Sequence, residues 1–210
     1  MEQVAIHARD PARFGGIIGA DRADRLAVSD ASRAVERLQG RSVFNINSTA
    51  VGGGVAEMLH VLLGYVRGVG IDTRWLVIEA GPSFFEVTKR IHNRLYGSPG
   101  DGGSLGDAER AVYESGLSPN ADDLAASARP GDLVILHDPQ TAGLAEHAKN
   151  LGCLVVWRCH VGVDSPNEHT RTGWDFLRPY LEPFVDHYVF TDARFPPDWV
   201  PRERCSIIWP

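Results

Sequence analysis

Residues 47–57 read NSTAVGGGVAE, and three consecutive glycines there give up side-chain packing. Each costs about 0.5–1 kcal/mol relative to alanine when ordered in a regular element. A backbone without Cβ atoms can pass close to a ligand. Its N–H groups, with those opening a helix at Val55, can point at an anion or a sugar hydroxyl. A tight strand-to-helix turn also uses glycine, but Gly52, Gly53 and Gly54 behind the polar run Asn47-Ser48-Thr49 favour ligand approach. A second set of reactive types follows two apolar runs, VIL and VVW: His137-Asp138 and the stretch from His160 to Asp164. A lone histidine at a strand end is usually a hydrogen-bonded rim residue. Two at equivalent strand ends facing a glycine turn point to a binding site.

Other chemistries compete for these residues. Gly52-x-Gly54 after a strand, with Glu79 ending the next one, suggests a dinucleotide site, but the third glycine of that fingerprint falls at Glu57. No G-x-x-x-x-G-K-[ST] occurs, which excludes a P-loop. His137, Asp138, His160 and Asp164 are suitable metal ligands, yet no H-x-x-x-H or H-x-H spacing supports a metal and none is assigned. Asp138 precedes Pro139, which either fixes its aim or starts the next helix. Arg158 interrupts an apolar strand and is either paired with an acid or aimed at a ligand. Glu57 suits a helix dipole, and Phe84, Phe85, Trp174 and Phe176 read as core.

These groups need elements to hold them. SVFNIN reads as a strand, followed by the glycine loop and then Val55, Met58, Leu59, Leu62, Leu63, Val66 and Val69 at helical spacing. Residues 73–79 (TRWLVIE) read as a buried strand, and SFFEVTKRIHNRLYG as a helix stopping at Gly97. The glycine-rich residues 98–107 read as a surface loop. Helices follow at 108–115 and 121–128, then strand 133–137, helix 142–150, strand 154–160, helix 168–177, strand 187–190 and an apolar CSIIW. Before all this, residues 1–40 read as a lead-in, loop-like at Asp10-Pro11 and Phe14-Gly15-Gly16, with a helix at 29–39. The alternation predicts an α/β, Rossmann-like, doubly wound and mostly parallel sheet covered on both faces. In such a sheet ligands bind beyond the carboxyl ends of the strands, where the glycine loop, Glu79, His137-Asp138 and the stretch from His160 to Asp164 fall.

Composition narrows the partners. A chain of 210 residues, 43% hydrophobic, can bury a sizeable core as one large domain. A net charge of −6 without a Lys/Arg run argues against nucleic acid and anionic membranes. No apolar run approaches a bilayer span and MEQVAIHARD lacks a signal-peptide core, so the expected compartment is the cytoplasm. Cys153, Cys159 and Cys205, an odd number without C-x-x-C spacing, suggest small buried residues and no disulfide framework.

Together, NSTAVGGGVAEML, RWLVIEAGPSFFEVTKRIHNRLYG, LHDPQTAGL, WRCHVGVDSPN and the WDFLRPYL and YVFT runs resemble the N-terminal domain of the nucleotide-sugar-dependent trehalose synthases and related trehalose phosphorylases. The likeness runs from about residue 41 to the end. It implies the N-terminal half of a retaining glycosyltransferase of the GT-B type, two Rossmann-like domains facing a cleft, with residues 41–210 as the acceptor-side domain. The reaction implied joins glucose from a nucleoside diphosphate glucose to free glucose, giving trehalose, and is reversible. By family position Gly52, Gly53 and Gly54 approach the donor phosphate and sugar, and His160 the transferred sugar near the reacting carbon. His137, Asp138 and Gln140 contact sugar hydroxyls, with Arg158 and Asp164 as further binding candidates and Asn47 and Ser48 supporting the turn. The implied partners are small sugars and a C-terminal nucleotide-binding domain, or a chain supplying it. No tightly bound cofactor is implied, with room for Mg2+ stimulation and a homodimer. The chain closes on CSIIWP where the family crosses into that second domain, and Trp209 stands where the family usually has proline. The expectation is therefore a truncated chain that is inactive alone. A non-catalytic sugar-binding or regulatory module and an NAD-dependent oxidoreductase domain are the rival readings.

Overall fold

The computed structural model describes residues 1–14, 16, 19, 21–22 and 31–209, leaving Gly15 and the expected helix start at Ser29 outside. Seven strands form one sheet in the order β1-β3-β2-β4-β5-β6-β7. They are β1 (Glu2–Val4), β2 (Val43–Asn47), β3 (Thr73–Val77), β4 (Leu133–His137), β5 (Leu154–Cys159), β6 (His187–Phe190) and β7 (Cys205–Ile207). Every pairing is parallel except that of β1 with β3, which is antiparallel. The Rossmann-like doubly wound arrangement holds. Because β3 lies on one side of β2 and β4 on the other, the strand order reverses at β2, and a crevice opens at the carboxyl ends of β2 and β4.

Strand composition separates the two faces. In β2, Phe44 and Ile46 join the large core that also holds Leu136, Val155, Trp157 and Cys159. Asn45 and Asn47 point the other way, since successive strand residues alternate. On that face lies helix α2 (Gly54–Gly68), whose Ala56, Leu59 and Leu63 pack against Trp75 and Val77. Helices α3 (Pro82–Leu95), α4 (Asp107–Ser127), α6 (Ala145–Asn150) and α7 (Glu168–Leu181) bury their apolar stripes in the large core. Between β4 and α6 a short helix α5 (Asp138–Thr141) leads into a 3-10 turn. In the lead-in, α1 (Ala31–Leu38) buries no residue.

Four sequence expectations change. The two helices expected at 108–115 and 121–128 are one, Asp107–Ser127, which runs through Pro119. An internal proline costs a helix about 3 kcal/mol, here offset by the burial of Tyr113, Leu117, Ala121 and Leu124. Asn120 Nδ2 adds a bond to the Gly116 carbonyl at 3.0 Å, next to the Ser115 carbonyl that Pro119 leaves without its helical donor. Helix α7 likewise continues through Pro179 to Leu181. The lead-in also supplies β1, too short and polar to show periodicity, and Arg9 N–H donates to the Gly64 carbonyl of α2 at 2.8 Å. Phe84, Trp174 and Phe176 are buried as expected, whereas Phe85 reaches the surface. Cys153 and Cys159 are buried and Cys205 half-buried, all as free thiols. No helix of the described residues is long and apolar enough to cross a membrane.

Candidate functional site

A cavity of about 560 Å³ occupies the crevice between β2, β4, β5 and the start of α2. Asn47, Ser48, Gly52, Gly53, Gly54, His137, Asp138, Gln140, Arg158 and His160 all line it.

The glycine loop is built from its own polar groups. Asn47 accepts from Trp75 Nε1–H and donates to the Thr49 carbonyl, both at 2.8 Å. The Thr49 hydroxyl donates to the Val51 carbonyl at 2.6 Å. Gly52 and Gly53 then take φ of 74° and 86°, a backbone region that disfavours other residues. Gly54 has no such need, and a Cβ there would meet no protein atom within 4 Å. Gly53 caps α2 without any side-chain hydrogen bond, and Gly54, Val55 and Ala56 face the cavity. Their N–H groups belong to the first helical turn, which has no intrahelical acceptors, so the cavity meets a cluster of unpartnered donors.

Opposite, β4 and β5 present the histidines. His137 is 2% exposed, its Nε2 bonded to Asn45 Oδ1 at 3.2 Å and its Nδ1 to His160 Nε2 at 3.1 Å. Both ring nitrogens are thus engaged by protein. His137 lines the cavity as expected, and its ring contacts place it directly behind His160. Asp138 has φ of 63°, strained for a residue with a Cβ. Trp157 Nε1–H donates to its carbonyl at 3.1 Å, and its carboxylate accepts the His160 backbone N–H at 2.7 Å. Pro139 lies in the first turn of α5, which Asp138 opens, as the helix-start reading of the Asp-Pro pair expects. Tyr113 steadies this corner, donating to the Pro139 carbonyl at 2.7 Å and accepting from Gly143 N–H at 2.9 Å.

Arg158 is half-buried and forms no ion pair with a described residue, which favours the ligand-facing alternative. Asp164 is not brought to the site. It lies five residues beyond the end of β5 and pairs with Arg194 at 2.7 Å on an exposed loop. Sequence reasoning also missed His92, Tyr96, Thr191 and Ile208, which complete the lining. His92 and Tyr96, at i and i+4 around the end of α3, contact each other edge-on with centroids 5.0 Å apart. Their spacing was visible, but a helix terminus is not where the strand-end rule looks. Glu79 lies outside the cavity, its backbone N–H and carbonyl bonded by Asn120 at 2.9 Å. Among the described residues no group of three or more His, Cys, Asp or Glu gathers to hold a metal.

Burial sets the charge states. It pushes His160 down to about 4, with Arg158 adding to the effect, and His137 well below the ordinary 6.5. It also pushes Asp138 up from 3.8 to about 7, with the His160 N–H and Arg158 opposing. Below pH 6.5 the unfolded imidazoles bind protons that these folded ones refuse, so stability falls as pH drops from 6.5 toward 4. Asp138 keeps its proton over the same interval in the folded state while the unfolded carboxyl has lost it, which offsets part of the fall. Between 6.5 and about 7 the unfolded imidazoles still take up protons while folded Asp138 loses its own, so the opposing effects nearly cancel and stability levels off. Urea midpoints should therefore peak near pH 7; a higher midpoint at about pH 5 would contradict these assignments.

Comparison with known proteins agrees with this geometry. Residues 45–197 match the family described as "Trehalose synthase, N-terminal domain". The chain is 37% identical over 183 residues to a trehalose synthase of Pyrococcus horikoshii, covering 87% of this chain and 42% of that protein. It is 37% identical to a trehalose synthase of Rubrobacter xylanophilus over 83% of this chain and 41% of the relative. A trehalose phosphorylase of Pleurotus pulmonarius is 27% identical over 77% of this chain and 24% of the relative. The chain thus spans less than half the length of these relatives. With the match covering β2 through β6 and the cavity between them, the protein belongs to the trehalose synthase N-terminal domain family.

Proposed function

We propose that this chain is the acceptor-side half of a retaining GT-B glycosyltransferase that joins glucose from a nucleoside diphosphate glucose to free glucose, forming trehalose reversibly. One observation carries the reading: uncapped N–H donors at the start of α2 and the side chain of His160 face one cavity. An anion and a sugar are recognised by such groups side by side. In this reading the N–H groups of Gly54, Val55 and Ala56 approach the donor diphosphate. His160 meets the transferred glucose, while Asp138 and Gln140 bind hydroxyls and Arg158 adds positive charge. The co-substrate is the nucleotide sugar, with Mg2+ as a stimulant of its diphosphate.

Glycosyl transfer through an oxocarbenium-like state needs strong stabilisation of the leaving diphosphate. Within this cavity the lining cation is Arg158, so these residues alone are expected to turn over negligibly. A facing domain or chain would supply the remainder.

Gly54→Ala separates ligand recognition from folding. The position is helical with room for a methyl group, so stability should hold or rise by up to about 1 kcal/mol. Affinity for glucose, trehalose or nucleoside diphosphate glucose in calorimetry should fall at least about tenfold as the added carbon enters the ligand's path. Unchanged affinity would remove the loop from the site. Binding by the complete protein without turnover would favour the sugar-binding module, and saturable NADH fluorescence the oxidoreductase.

A further inference from the structure

We propose that Thr73 and Asn45 are positioning residues that fix His160 with Nε2 protonated and the Nδ1 lone pair open to the cavity, so that it accepts from a hydroxyl and rejects an ionised phosphate oxygen. A backbone carbonyl sets the direction of the whole chain of bonds. The Thr73 hydroxyl donates to the Val43 carbonyl at 3.3 Å, an atom that can only accept. The Thr73 oxygen then accepts from Asn45 Nδ2 at 3.3 Å, which turns Asn45 Oδ1 toward His137. An amide oxygen cannot donate, so His137 carries its proton on Nε2 and leaves Nδ1 as a lone pair. His160 Nε2 must therefore be the donor across the 3.1 Å contact, and a neutral imidazole has one proton to place.

The second nitrogen of His160 is thereby unprotonated. It bonds no described residue and is absent from the buried unpartnered polar atoms, which are Arg94 Nε and Trp199 Nε1, so it opens on the cavity that His160 lines. Burial keeps the relay dry: Thr73, Asn45 and His137 are 0%, 5% and 2% exposed. Register assembles it. Asn45 lies beside Trp75 of β3 and Ile135 of β4, so Thr73 and His137, each two residues along, share its sheet face. Both imidazoles being neutral near pH 7 agrees with their lowered pKa values.

The consequence for a ligand rests on the sugar reading of this cavity. An unprotonated nitrogen offers nothing to an ionised phosphate, whose oxygens only accept, and it rewards a hydroxyl. His160 thus discriminates sugar from leaving group by hydrogen-bond polarity.

Nitrogen NMR of the chain labelled with 15N-histidine at about pH 7 reads the tautomer directly, with His160→Gln identifying the signal. Expected is one His160 form, protonated at Nε2 and not at Nδ1. Thr73→Val and Asn45→Leu should each populate the other tautomer, while Thr73→Ser and Asn45→Asp, which keep the needed hydroxyl and acceptor, should retain the original. A wild-type spectrum with Nδ1 protonated overturns the proposal, even if every variant fails to fold. So does an unchanged tautomer in both folded Thr73→Val and Asn45→Leu. In calorimetry, one member of the monodeoxyfluoro-glucose series should bind about tenfold weaker than glucose, with that penalty absent in Asn45→Leu. The expected tautomer without any sugar binding would leave the relay standing and refute the sugar reading; sugar binding with the opposite tautomer would do the reverse.

Discussion

On the proposed reading, replacing His160 by alanine in the complete protein is expected to lower trehalose-forming turnover by about 10²–10³-fold, the scale seen when one preorganised hydrogen-bonding group is removed from a transition-state site. The side chain lines the cavity beside Asp138 and Arg158 and opposite the uncapped start of α2. Its removal also strips His137 Nδ1 of a donor in a buried setting, costing about 1–3 kcal/mol of stability. Steady-state rates should be read beside a denaturation curve, so that loss of folded protein is not mistaken for loss of chemistry. Activity within a few-fold of wild type would take His160 off the catalytic list.

Trp157→Ala should cost about 3–5 kcal/mol of stability, a large share of the 5–15 kcal/mol typical of a domain. Trp157 is fully buried, its ring 5.9 Å by centroid from both Trp174 and Phe190. Its Nε1–H holds the carbonyl of Asp138, the residue whose backbone is strained. Trp157→Phe keeps much of the packing and gives up that hydrogen bond. The phenylalanine variant should therefore be distinctly more stable than the alanine one yet lose sugar affinity, because the Asp138 carboxylate drifts from the His160 N–H. Urea unfolding of both variants checks this; a loss below about 1 kcal/mol for alanine would mean that the core repacks around the gap.

Several features were legible because they are local. Apolar periodicity located five of the strands and the main helices to within a few residues, since each element buries its own repeating stripe. The strand-end rule then gathered residues as distant as Asn47 and His160, because parallel strands present all their carboxyl ends to one rim. Helix α4 was misread at Pro119, where burial of Leu117 and Leu124 outweighs the intrinsic cost of proline. Asp164 was misplaced because the loop after β5 carries no periodicity, and its pairing with Arg194 depends on where two loops meet.

By itself the sequence determined the sheet, the rim and the family, all of which follow from short-range patterning and from motifs that stand in one order along the chain. Only the tertiary structure decided what each rim residue does. It bonded both ring nitrogens of His137 and left one nitrogen of His160 without a partner among the described residues. It also set Asn45 and Thr73, unremarkable in a strand, behind both. The physical reason is that a side chain's role depends on which of its polar atoms are already bonded. Those partners, 28 and 92 residues from Asn45 in the chain, meet only through strand register.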